Sequence, residues 1–368
     1  MVLIKNFKII SINLFFILIM IYVEAYFINN LVKNYHYHTM NKSEKTKENL
    51  VYTTDKTNET TNNIHKTMSE LDKKIEIIKK LIKESDSILI GAGAGLSAAA
   101  GLTEENLNFE ENFKDFIDAY NIKDLYTGGF YPYETLNEKW GYFSRNCVTY
   151  INTKSTPLYE NILKLIKDKD YFVLTTNVDG QFEKSGFDLS RVFATQGDFI
   201  NLQCSVPCHN KLYESIDLLK EMVAKTKDRK IPDELIPKCP LCGKPMTTHL
   251  RVDSAFVMDD YWYQQNDAYK NFVKSNKDKK VLLLEFGVGF NTPTIIRFPF
   301  ERQTIHNENW YLVRFNRDYS GLLVPGEYDT LNDWEKLKSL NLENNFQNRF
   351  IPISEDINEV INILLQNK

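Results

Sequence analysis

The 368-residue chain has little cysteine, no surplus of positive charge and no arginine before Arg145. Five cysteines are too few for a disulfide scaffold on a chain of this length. Lys+Arg 45 against Asp+Glu 49 gives a net charge of −4, which argues against a basic nucleic-acid binder. The missing early arginine fits poorly with an amphipathic mitochondrial presequence. No internal repeat is seen. Apolar residues are plentiful, 43% against 26% charged, enough for a sizeable core and too many for wholesale disorder.

The front of the chain reads differently from the rest. Lys5 and Lys8 precede a charge-free stretch from Ile9 to Val23, about 22 Å long as a helix and short of the ~30 Å hydrocarbon core. Continued past Glu24 to Ile28 it is 20 residues long, which suffices to span. Residues 1–32 therefore read either as a cleavable signal peptide with a Val23-x-Ala25 site or as an uncleaved membrane anchor. Residues 33–67 turn to Asn, Thr, Lys and Glu and are expected to form a disordered linker. Asn41-Lys42-Ser43 and Asn58-Glu59-Thr60 are glycosylation sequons, of a kind that arises readily by chance in such sequence. Met68 opens Ser69-Glu70-Leu71-Asp72, a helix start followed by Ile75, Ile78, Leu81 and Ile82 at helical spacing. The folded domain is expected from residue 68 to residue 368.

Within it, Ser87-Ile88-Leu89-Ile90, Tyr171-Phe172-Val173-Leu174, Val281-Leu282-Leu283-Leu284 and Trp310-Tyr311-Leu312-Val313 read as strands buried on both faces. Helical patterns such as Leu158 to Lys167 and Asp356 to Leu365 separate some of them, which predicts an α/β fold with a parallel sheet. The first strand runs into Gly91-Ala92-Gly93-Ala94-Gly95-Leu96-Ser97-Ala98-Ala99-Ala100-Gly101. Residues this small after a strand either let the backbone approach a phosphate-bearing ligand or simply make a tight strand–helix turn. The spacing is not G-x-G-x-x-G, and no lysine makes it a P-loop. Further on, Cys204-x3-Cys208 and Cys239-Pro240-Leu241-Cys242-Gly243 form two close pairs, each ending in a turn, which suits tetrahedral thiolate coordination. Four protein ligands leave no position for substrate, so a zinc here is expected to be structural, in a module spanning 204–242. His209 is an alternative ligand but reads as a surface residue, and Cys147 as core.

These features occur together in the sirtuins (the silent information regulator 2 family), NAD-consuming deacylases and ADP-ribosyltransferases, which the chain resembles over about residues 68–368. Gly93-Ala94-Gly95-Leu96-Ser97 with Gly101 matches the family's GAG-[IL]-S…G cofactor loop, and Thr175-Thr176-Asn177-Val178-Asp179 resembles its TQN-[IV]-D stretch. Gly287-Val288-Gly289 resembles the loop that contacts phosphate and ribose, and Phe315-Asn316-Arg317 the adenosine-side stretch. The cysteine pairs fall where the family carries its zinc module. Two departures stand out. Thr195-Gln196-Gly197-Asp198 lies where the family has His-Gly, and Leu102-Thr103-Glu104-Glu105 lacks its Asp-Phe-Arg. Both suit the class M branch of microbial ADP-ribosyltransferases. Gly128-Gly129-Phe130-Tyr131-Pro132-Tyr133, Cys204-Ser205-x-Pro207-Cys208-His209 and Gly287-Val288-Gly289-Phe290-Asn291-Thr292-Pro293 also look like that branch. No macrodomain accompanies them.

The resemblance implies a Rossmann-like, sirtuin-type NAD-binding domain with a small inserted zinc module. It implies NAD as cosubstrate, held by Gly93, Ala94, Gly95, Ser97, Gly101, Thr176, Asn177, Asp179, Gly287, Gly289 and Asn316, and structural zinc on Cys204, Cys208, Cys239 and Cys242. Asp179 is expected to bind the nicotinamide carboxamide, Asn177 to order the ribose end and Gln196 to orient a ribose hydroxyl; taken from the residues alone, Asn177 and Asp179 equally suit an Asx turn after a strand. An imidazole titrates near neutrality and serves as base in deacylation, whereas the amide of Gln196 does not titrate. ADP-ribosyl transfer to a protein is therefore expected, with NAD-dependent lysine deacylation and non-catalytic NAD or ADP-ribose sensing as the alternatives. The branch implies a lipoyl-carrier acceptor of the glycine-cleavage H-like type. A membrane partner through residues 9–28 is possible, but a signal peptide points to a lumen, away from cytosolic NAD and reduced thiols. A cytosolic domain needs either an anchor inverted relative to its Lys5/Lys8 bias or translation from Met68.

Overall fold

The computed structural model describes residues 68–321 and 348–366. The apolar segment 1–32 and the linker 33–67 lie outside these residues. Among the described residues no helix is long and apolar enough to cross a membrane.

The first described helix starts where the capping pattern places it. Ser69 caps the helix Glu70–Glu84 in a reciprocal box with Asp72, and Ile75, Ile78, Leu81 and Ile82 form its buried stripe. The strands are β1 (Ser87–Ala92), β2 (Asp170–Thr175), β3 (Val192–Ala194), β4 (Gly197–Cys204), β5 (Tyr213–Glu214), β6 (Met246–Leu250), β7 (Val281–Phe286), β8 (Trp310–Phe315) and β9 (Phe350–Ile353). Six make one sheet in the order β3-β2-β1-β7-β8-β9, with every pairing parallel. This is the predicted α/β sheet. Alternate residues of each strand feed two separate cores. Ile88, Ile90, Val173, Leu282, Leu284 and Val313 pack against the helices Glu70–Glu84, Pro157–Ile166 and Ile357–Leu365. Leu89, Phe172, Leu174, Leu283 and Leu312 pack on the other side with Phe272 of Asp260–Ser275 and Phe300 of Arg297–His306. Burial on both faces is why these strands read as unbroken apolar runs.

A second, three-stranded antiparallel sheet, β5-β4-β6, branches from the segment between β3 and β7. Its core is shared with helices Leu136–Asn152 and Ile216–Lys225, through Trp140, Tyr142, Leu202, Leu219 and Met222.

Two of the apolar runs extend further than expected, each through a charge. Glu285 on β7 and Arg314 on β8 are register partners, joined by Nε–Oε1 and Nη2–Oε2 hydrogen bonds of 2.7 and 3.0 Å. Arg314 Nη1 donates to Glu301 at 2.6 Å, and Arg297 lies 3.7 Å from Glu285. All four side chains are buried. Burial lifts the Glu301 carboxyl, against the pull of Arg314. Removing the shared cation leaves two buried carboxylates facing the single, more distant Arg297, so Arg314→Met is expected to cost about 3–5 kcal/mol in urea unfolding. Adding Glu285→Gln and Glu301→Gln to it is expected to recover part of that loss.

Candidate active site

The sheet order changes direction between β1 and β7: strands are added outward through β2 and β3 on one side and through β8 and β9 on the other. In open α/β sheets such a switch point opens a crevice at the carboxyl ends of the strands, where ligands bind. The predicted site residues all lie after the carboxyl ends of the sheet strands. Gly93, Ala94, Gly95, Ser97 and Gly101 follow β1; Thr176, Asn177 and Asp179 follow β2; Gln196 follows β3; Gly287 and Gly289 follow β7; Asn316 follows β8.

The glycines of the first loop serve a close approach between two backbones. Gly95 N–H donates to Gly287 O at 2.9 Å, and Gly93 N–H to Phe286 O at 3.0 Å. A Cβ on Gly95 would lie 2.7 Å from Gly287 Cα. Gly287 has φ +58, and a Cβ there would strike Leu96 N. The tight-turn reading of this loop therefore accounts for its small residues, and the loop also edges the crevice. Ala94 opens a six-residue helix, Ala94–Ala99, and Gly101 O accepts from Asn106 Nδ2 at 2.9 Å where the chain leaves it. Gly289 has nothing within 4 Å of its Cβ position. Asn316 ties the β7 and β8 loops together, donating from Nδ2 to Val288 O at 2.9 Å and accepting from Tyr319 N–H at 3.0 Å.

A polar set links the β1 and β2 loops. Ser97 Oγ donates to Asp179 Oδ2 at 2.5 Å, and Gln181 N–H donates to Asp179 Oδ1 at 2.9 Å. Asn177 Nδ2 reaches Gly93 O at 3.0 Å and the Tyr159 hydroxyl at 3.2 Å. The same hydroxyl lies 3.4 Å from Ser97 Oγ. Burial pushes the Asp179 carboxyl above its ordinary range, against the pull of its Ser97 and Gln181 donors. Burial also lifts the Tyr159 phenol, which keeps its proton. Lys184, whose ammonium burial disfavours, bonds Tyr150 O at 2.6 Å and Thr153 Oγ1 at 2.9 Å, holding the far side of this loop. Thr176 N–H donates to Ala92 O at 3.1 Å, so the ends of β1 and β2 stay paired.

The turn after β3 carries the departure from the family motif. Thr195 N–H donates to Thr175 O at 2.9 Å, which sets the turn beside the β2 loop. Gln196 is held through its backbone, its carbonyl accepting from Arg251 N–H at 3.1 Å. Its half-buried side-chain amide has no hydrogen-bond partner among the described residues. Gly197 has φ +87, and a Cβ there would strike His249 O. Asp198 accepts from Ile200 and Asn201 N–H at 2.9 and 2.7 Å. Burial opposes its charge, but donors from His249 and Asn201 outweigh that and hold its carboxyl below the usual range. His249, the imidazole that reaches this turn, is buried, stacked on Phe256 and engaged at both nitrogens, with Val257 O at 2.9 Å and Asp198 at 3.4 Å. It is not presented as a base toward a ligand.

The four module cysteines converge at the other end of β4 and β6. Their Sγ atoms lie within 4.8 Å of one another, with Cys204–Cys242 at 3.5 Å and Cys208–Cys239 at 3.6 Å. A tetrahedral site with Zn–S bonds of about 2.3 Å has S–S edges of about 3.8 Å, so the donor set fits the metal. Cys147 is core, as expected. His209 departs from its surface reading: it is half-buried, and its Nε2 lies 3.3 Å from Cys239 Sγ.

Three features were missed in the sequence. Tyr159 sits at helical spacing with Leu158, Ile162 and Leu165 and passes for core. Lys184 and His249 belong to no motif and are drawn in by tertiary contacts.

No family model matches the chain. A protein ADP-ribosyltransferase of Staphylococcus aureus is 34% identical over 302 residues, covering 82% of this chain and 90% of the relative. A probable bifunctional ADP-ribose hydrolase/ADP-ribosyltransferase of Fusarium oxysporum is 30% identical over 62% of this chain and 39% of its own length. An NAD-dependent protein deacetylase of Clostridium perfringens is 26% identical over 47% of this chain and 64% of that protein. Among solved structures, Sir2Tm bound to a propionylated peptide is similar at a TM-score of 0.47 and 15% identity, over 80% of this chain and 98% of that one. On the Staphylococcus aureus relative and on the order of its own motifs, the chain belongs to the sirtuin family.

Proposed function

We propose that the protein is an NAD-consuming protein ADP-ribosyltransferase. The observation that carries this reading is the amide of Gln196 at the turn beside the Asn177/Asp179 loop, with His249 behind it engaged at both nitrogens. The names of the Staphylococcus aureus and Fusarium oxysporum relatives support the same activity.

NAD would occupy the crevice that a switch point opens at the carboxyl ends of the strands. The Gly93–Ser97 and Gly287–Gly289 loops would edge it, Asn316 would face the adenosine side, and Asp179 would hold the nicotinamide carboxamide. Asn177, fixed by Gly93 O and Tyr159, would order the ribose. An acceptor nucleophile attacks C1′ of the nicotinamide ribose. The C1′–N bond breaks, its electron pair leaves with nicotinamide, and the pyridinium charge is discharged. A carboxylate acceptor needs no proton removed, so positioning and electrostatics lower the barrier without a base. Deacylation asks for proton removal from a ribose hydroxyl, which an amide at Gln196 does not perform. The finer reading takes a lipoyl-carrier protein as acceptor, with structural zinc on Cys204, Cys208, Cys239 and Cys242.

The test incubates the full chain with adenylate-labelled NAD and a lipoylated carrier protein. Nicotinamide release matched by label on the carrier is expected. O-acyl-ADP-ribose formed from an acyl-lysine peptide would instead establish deacylation, and saturable NAD binding without nicotinamide release would establish a sensor. Gln196→Ala is expected to lower transfer about tenfold, the worth of one hydrogen bond of about 1–1.5 kcal/mol. Unchanged transfer would remove Gln196 from the site. Tyr159→Phe keeps the ring against Phe182 and removes the hydroxyl that orders Asn177. Its kcat is expected to fall about tenfold, with KM for NAD nearly unchanged and stability lowered by no more than the ~1 kcal/mol that one buried hydrogen bond contributes.

A further inference from the structure

The geometry points to His209 as a hydrogen-bond donor to the Cys239 thiolate, a positioning residue that sets how tightly the four-cysteine centre holds its metal. The inference rests on the zinc reading of that cluster. His209 is not a fifth ligand, and the reason lies in its other nitrogen. Lys211 N–H points at His209 Nδ1 at 3.0 Å. A backbone N–H only donates, so Nδ1 is the acceptor and the ring proton sits on Nε2. That proton faces Cys239 Sγ at 3.3 Å. With one nitrogen protonated and the other accepting, neither has a lone pair free for a metal. The ring is further braced edge-on against Tyr213, with centroids 5.7 Å apart.

The physical need for such a donor follows from charge. Four thiolates around a dication leave the centre with two surplus negative charges. Cys239 is itself buried, with little water to solvate its share. An N–H donated to sulfur withdraws part of that charge, and hydrogen bonds to ionised acceptors are the strong ones. Partners of this kind fix ligand orientation, and their loss costs typically 10–100-fold in metal affinity. Cys239 also accepts Gly243 N–H at its carbonyl, at 2.8 Å, and donates its own N–H to Lys244 O at 2.7 Å. The turn that carries it is therefore fixed independently of His209, and the imidazole acts on the sulfur.

The test uses the full chain loaded with zinc, and in parallel with Co(II), whose thiolate charge-transfer and ligand-field bands report the donor atoms. A chromophoric chelator competes for zinc. His209→Ala is expected to weaken zinc retention at least tenfold. Its Co(II) bands are expected to keep a four-sulfur pattern, with the charge-transfer band at lower energy because the sulfur has lost its donor. His209→Gln, which offers an amide N–H, is expected to restore part of the affinity. Retention unchanged in His209→Ala would overturn the inference while leaving the zinc reading intact. Co(II) bands that change from a mixed nitrogen–sulfur pattern in the parent would overturn it by making His209 a ligand. A parent chain that takes up neither metal would overturn the zinc reading and the inference with it.

Discussion

Gly95 and Gly287 meet where the sheet changes direction, and the candidate site is arranged around that contact. A parallel sheet built outward from β1 and β7 sends its two central loops apart, and without a tie the crevice between them would have no fixed width. Gly95 N–H bonded to Gly287 O supplies the tie, at a separation that leaves no room for a Cβ on either residue. Asn316 repeats the device one strand further out by holding Val288 O. The floor of the crevice is thus backbone against backbone, and little of its shape depends on long side chains that change rotamer. Beneath it, the Glu285–Arg314–Glu301 cluster locks β7 to β8 and to the helix Arg297–His306. A buried cluster of this kind is weak support for stability, since desolvation offsets much of the attraction. Its geometric effect is to fix the strand ends from which the Gly287 and Asn316 loops depart.

The polar part of the site obeys the same logic of shared partners. Asp179 is buried and ringed by donors, Asn177 is held by a carbonyl and a phenol, and the Tyr159 hydroxyl lies between Ser97 and Asn177. A chemistry that relies on placing C1′ of a ribose against a nucleophile suits such a preorganised set, because these dipoles need not reorient at the moment of reaction.

How much of this was legible follows from what each residue type signals. The four central strands were plain because burial on both faces makes a strand uniformly apolar. Their ends were misread at Glu285 and Arg314, where a charge stands for an exposed boundary unless its cross-strand partner is known. The edge strands Val192–Ala194 and Phe350–Ile353 are too short to show a period. The loop residues were found through motif order and spacing, which carries chemistry but not packing: Gly93 and Gly95 were assigned to a ligand, while the structure first sets them against Gly287. Tyr159 shows the opposite failure. A tyrosine on the apolar face of a helix is indistinguishable in sequence from core until its hydroxyl is seen to meet Asn177. The apolar stretch at residues 9–28 lies outside the described residues.

The cysteine cluster and the Gln196 turn are joined by a pair of strands. β4 starts at Gly197, directly after Gln196, and ends at Cys204; β6 starts just after the Cys239/Cys242 turn and ends at Leu250, the register partner of Gly197. Arg251 N–H then grips Gln196 O. An eight-residue strand spans roughly 25 Å, so the cysteines are too far away to touch the reacting atoms, yet they close the far end of the ladder whose near end holds the Gln196 turn. Pairing in that ladder is irregular between Gly197 and Leu202, and β5 adds only two residues to its edge. Such a short sheet is marginal alone. Metal drawn in by four thiolates would supply the missing closure, and with it the register that keeps Gln196 beside the β2 loop. A metal held on the four cysteines would thus act on the Gln196 turn through strand register, without a place in the reaction itself.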